Sequence, residues 1–122
     1  MDDLIAFLRA RLNEDEQEAL AASPGPWKAN AEQHEVLAVD DIEVATGFAL
    51  NGEQLRATVR HIVRHDPARV LREVEAKRRM LQAHIGYYGL GMDEYWPIPT
   101  LTLLALPYAN HPDYREEWRP PA

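Results

Sequence analysis

The sequence contains no cysteine. That excludes a disulfide scaffold, a thiolate metal site and a cysteine nucleophile. Serine is almost as scarce: Ser23 stands alone, directly before a proline in a turn, so no serine-nucleophile motif is supported. Long apolar runs are missing. The longest useful one, Leu101 to Leu106, falls far short of the ~20 residues of a membrane span. No basic residue precedes an apolar stretch after Met1-Asp2-Asp3, so no secretory signal is expected. Gly86, Gly89 and Gly91 follow a helical pattern instead of joining a strand to a helix, which argues against a phosphate loop. Positive charge is in deficit, with 13 Lys+Arg against 20 Asp+Glu and a net charge of −7. These absences point to a cytoplasmic protein with no membrane partner. At 122 residues it is expected to form one domain, since domains usually hold roughly 100–150 residues.

Charge is present in abundance but unevenly. Residues 1–53 carry a net −9, residues 54–85 a net +5 and residues 86–122 a net −3. Such halves can neutralise each other inside one fold, or leave a basic face that binds an anion.

Periodicity sets out the elements. Leu4, Ile5, Leu8 and Leu12 share a face, Phe7 lies beside them, and Ala19 and Leu20 resume the stripe, which predicts a helix over 3–22. Glu14 and Glu18 repel at i,i+4 in its polar stretch. Ser23-Pro24-Gly25-Pro26 must stop it, and the turn aims Trp27 back toward a core. Val36 and Ala38, then Ile42 and Val44 across a turn at Asp40-Asp41, alternate like an antiparallel hairpin; a further strand is expected near 27–31. Asn51 and Gln54 have capping-box spacing and open a helix to His65, with Leu55, Val59, Ile62 and Val63 inward. Asp66 caps and Pro67 starts the next helix, to Ile85, with Val70, Val74 and Leu81 on one face and Glu73–Lys77 and Glu75–Arg79 as i,i+4 pairs. Residues 86–98 read as an aromatic-anchored loop. Pro99 opens a short helix to Leu106, and residues 108–122 read as an extended tail pinned by Tyr108, Tyr114 and Trp118. The fold class is α+β: helix, small sheet, two helices meeting at Asp66-Pro67, and a short last helix.

Three stretches stand out: Ser23-Pro24-Gly25-Pro26-Trp27, the run from His61 through Asp66-Pro67 to Glu73, and Leu103 to Tyr114 with its Leu106-Pro107-Tyr108 and Asn110-His111-Pro112. In this order they resemble a family of short actinobacterial and phage proteins of unknown function. The first two are more loosely similar to uncharacterised phage early-region proteins. The resemblance runs over most of the chain and is weakest over 28–50 and 86–98. It implies a small cytoplasmic protein of bacterial or phage origin and assigns no catalytic residue.

Candidate chemistry is sparse. His61 and His65 have the i,i+4 spacing of a two-histidine metal site, but the glutamate of the helical zinc motif is missing and Arg64 stands between them. No metal or cofactor is expected. Arg56, Arg60 and Arg64 form a stripe beside the apolar face. Lys77 and Arg78 fall within the apolar sector of their helix, where they snorkel, pair with the acidic turn near Glu14 and Glu18, or face a phosphate. Trp96, Tyr108 and Trp118 are residue types that anchor interfaces. The sequence thus favours a non-catalytic interaction module with a protein partner or a second copy. Nucleic-acid or other anion binding by the arginines is the alternative, and an enzyme is the least supported class.

Overall fold

A computed structural model describes residues 2–47, 52–88 and 99–121. Among them are four α-helices and one three-stranded antiparallel sheet, an α+β fold as expected. The helices are α1 (Asp2–Ala21), α2 (Gly52–Arg64), α3 (Pro67–Tyr88) and α4 (Pro99–Ala105); the strands are β1 (Lys28–Ala29), β2 (Glu35–Leu37) and β3 (Glu43–Thr46). The chain divides into two compact units, one of residues 1–14 with 74–122 and one of residues 15–73, and the divisions fall within α1 and α3.

The first unit is built on apolar helix faces. Leu4, Phe7 and Leu8 of α1 are buried with Leu81 of α3 and with Leu101 and Ala105 of α4. Each large side chain buried this way contributes about 1.5–3 kcal/mol. α1 thus packs with α3 through Leu4 and Leu8, Leu12 is buried as well, and Val74 and Leu81 are buried as the stripe requires. Glu14 pairs with Arg11 at 2.8 Å, and Arg78 donates to Asn13 Oδ1 at 2.7 Å. Glu73, expected on Lys77, takes Arg69 at 2.9 Å, while Glu75–Arg79 forms at 2.7 Å. The C-terminal segment, expected to lie extended, winds through 3-10 turns at Leu106–Tyr108 and Glu116–Trp118. Those turns put Tyr114 and Trp118 into the buried cluster, where their rings meet Phe7 at 6.0 and 5.1 Å.

In the second unit α1 ends at Ala21 ahead of Ser23-Pro24-Gly25-Pro26. Trp27 follows, half-buried over its own turn instead of in a core, because its ring N–H donates to the Ser23 carbonyl at 2.9 Å. The strand order is β1-β2-β3. Val36 and Ala38 are buried, but Ile42 is 59% exposed. A register shift between Val36 and Leu37 breaks the alternation that would have turned Ile42 inward. Asp40 and Asp41 take positive φ of 63° and 59° in the connecting turn, a conformation Asp tolerates. Leu20 is likewise 65% exposed instead of resuming the α1 stripe. On α2 only Val59 of the predicted stripe is fully buried; Leu55, Ile62 and Val63 are half-buried. Asn51, its expected cap, lies outside the described residues.

The α2–α3 junction is fixed by Asp66, a buried carboxylate. Its Oδ1 accepts the Arg69 amide at 2.9 Å, the expected N-cap of α3, and its Oδ2 accepts the Trp27 amide at 2.9 Å. Gly25 completes the seat: a Cβ there would stand 2.9 Å from Asp66 Oδ2 and 3.0 Å from the Ala68 Cβ. The Pro-Gly-Pro-Trp turn and the Asp-Pro helix start are thus one hydrogen-bonded structure. α3 continues past the expected end at Ile85 to Tyr88.

Candidate anion site

Because Val59, Ile62 and Val63 turn inward, the opposite face of α2 presents Arg60 above Arg64 and His61 above His65, two adjacent i,i+4 columns. Pro67 starts α3 at once, so Arg69 in its first turn comes to the same place. Arg69 donates to the Arg64 carbonyl at 3.1 Å and to Glu73 at 2.9 Å. Arg60, His61, Arg64, His65 and Arg69, with Ala57, line an open depression of about 380 Å³.

The imidazoles are ordered against each other, with ring centres 4.4 Å apart and planes at 37°. His65 Nδ1 lies 2.7 Å from the His61 carbonyl oxygen. A carbonyl only accepts, so Nδ1 carries the proton and Nε2 is the atom left for an outside group. Among the described residues the Arg64 guanidinium makes no ion pair. Arg60 is occupied: it donates to Glu53 at 3.1 Å and to Gln33 at 3.0 Å. Arg56 also holds Glu53, at 3.1 Å. These two guanidiniums, Arg60 first, keep the Glu53 carboxyl below the usual carboxylate range. No group of three or more His, Asp or Glu able to hold a metal ion occurs among the described residues.

The other described sequence candidates belong to the first unit. Lys77 is half-buried and, with Leu8, Leu12, Leu81 and Leu104, borders a small apolar gap, so its stem covers core. Arg78 holds Asn13. Tyr108 is half-buried with its ring 6.3 Å from Phe7. Trp118 is buried, edge-on to Tyr114 and tilted against Phe7, and covered by the Arg115 guanidinium 5.5 Å from its ring centre. Trp96 lies outside the described residues. Within the second unit the structure therefore brings Arg60 and Arg64 together and leaves Arg56 on Glu53. Arg69 is the residue that sequence reasoning missed as a site member. Its signal was the shortness of the Asp66-Pro67 break, which leaves no loop to carry α3's first turn away.

A second cleft, of about 270 Å³, is bordered by Asp3, Arg11, Asp113 and Arg115, and both of its guanidiniums already hold carboxylates. Arg115 donates to Asp3 at 2.8 Å. Arg11, buried, holds Glu14 and lies 2.9 Å from His111 Nδ1. No described helix is long and apolar enough to cross a membrane.

No curated protein and no solved structure matches the chain. One family model does, over residues 1–120, nearly the whole length and both halves of the Trp27–Asp66 clasp, and on that match the chain belongs to the family of unknown function DUF6221.

Proposed function

We propose that this protein is a small non-catalytic binding module that engages an anionic group through the depression at the α2–α3 junction. The observation that carries this reading is Arg64: an exposed guanidinium without an ion-pair partner among the described residues, set beside two imidazoles and Arg69. A guanidinium there offers charge-assisted hydrogen bonds, roughly twice as strong as neutral ones. Supporting it, acidic residues among those described reach Arg56, Arg60 and Arg69 but leave this cation facing out. Titration of the protein with inorganic phosphate, followed by amide NMR, tests the reading. Shifts concentrated in residues 57–69 and lost in Arg64→Ala are expected; shifts spread over the surface, unchanged in that variant, count against it.

A second reading, contact with a protein partner or a second copy through the C-terminal segment, draws on one feature. Leu103 is exposed and shares with Trp118, Pro120 and Pro121 a groove of about 320 Å³. Sedimentation equilibrium of the protein and of Leu103→Asp distinguishes a self-associating chain from a monomer. Extended nucleic-acid backbone along the arginine stripe is the weaker form of the anion reading, since Glu53 already holds two of its three members. The likeness of the Pro-Gly-Pro-Trp and Asp-Pro motifs supports a cytoplasmic protein of actinobacterial or phage origin. The reach of the family match supports reading residues 1–122 as one functional domain.

A further inference from the structure

Resting on the anion reading, we infer that the depression takes a single phosphomonoester group, and that Glu53 is its internal competitor for Arg60. The surroundings of the site limit the ligand. Arg60, His61, Arg64, His65 and Arg69 converge on one depression of about 380 Å³. At its edges two of the cations already hold carboxylates: Arg56 holds Glu53 and Arg69 holds Glu73. A polyanion laid across this surface finds one cradle and then carboxylates, whereas a compact group with several oxygens meets all of its donors at once. Arg64 is the standing donor, with the two imidazoles beside it. Arg60 joins them only by leaving Glu53, whose carboxylate, 3.1 Å from Arg60 Nη2, already sits as an anion would. Ligand and Glu53 therefore exclude each other at that guanidinium.

The test is calorimetric titration with adenosine 5′-monophosphate, adenosine, inorganic phosphate and a mixed-sequence DNA duplex, at several salt concentrations. The inference expects the monophosphate to bind, adenosine not to bind, and inorganic phosphate to compete. It expects a log–log salt slope of about 1–2 in place of the roughly 6–10 of a phosphate track. Arg64→Ala should lose about tenfold in affinity. Glu53→Gln should gain severalfold, and Glu53→Gln/Arg60→Ala should lose that gain. Equal binding of adenosine and its monophosphate overturns the inference, as does a Glu53→Gln variant with unchanged affinity whose circular dichroism is native. Tighter duplex binding with a steep slope overturns the phosphomonoester while leaving an anion site in place. Silence toward phosphate, monophosphate and duplex alike removes both.

Discussion

Asp66 shows how much one side chain can organise. It is buried, and each carboxylate oxygen receives a backbone N–H from a different part of the second unit. Replacement by Ala removes a helix cap, worth about 0.5–2 kcal/mol, and orphans the Trp27 amide, worth about 1–3 kcal/mol more if it stays buried. Urea melts of Asp66→Ala should show a loss within the sum of those ranges; a midpoint equal to the parent's would mean the clasp is not formed. Gly25→Ala should fail for a different reason, its Cβ meeting Asp66 Oδ2 at 2.9 Å, and should cost about 1–3 kcal/mol in the same assay. Glu53 supplies the pH prediction. Its carboxyl is held down by Arg60 and then Arg56, so its share of stability is present above the ordinary glutamate range and is lost as pH falls through its own lower value. Carboxyl-carbon NMR should find the Glu53 midpoint below that in Arg56→Ala/Arg60→Ala. No difference between the two would show that the guanidiniums do not hold it.

At the scale of elements, hydrophobic spacing carries the account. Leu4, Leu8 and Leu12, then Val74 and Leu81, were readable as inward because a helix repeats every 3.6 residues and each sits on one stripe. Leu81→Ala should lose about 2–4 kcal/mol in a thermal or urea melt. Leu20→Ala, at a site 65% exposed, should stay within about 0.5 kcal/mol of the parent. The sheet was less legible. A register shift of one residue reverses which side chains face inward, and nothing in the spacing of Val36, Ala38 and Ile42 announces the irregularity at Val36/Leu37. Charge partners were the least legible. Glu73 has Arg69 one turn before it and Lys77 one turn after, and sequence spacing alone makes both available; the fold chooses Arg69. The site shared this difficulty. Arg60 and Arg64 were visible as a stripe, His61 and His65 as a pair, but their union with Arg69 depends on how α2 passes into α3 at Asp66.

For the whole molecule, a net charge of −7 works against polyanions at long range. The anion reading therefore needs a local cradle that outcompetes the general field, and the α2–α3 junction is where such a cradle exists. The most direct measurement is a crystal structure of the protein soaked in tungstate, a phosphate-like oxyanion whose metal is located by anomalous scattering. The account predicts a peak in the depression, within hydrogen-bonding reach of Arg64, and its disappearance from Arg64→Ala crystals. Tungstate bound instead beside Arg11 and Arg115, with the α2–α3 depression empty in an open lattice, would contradict it.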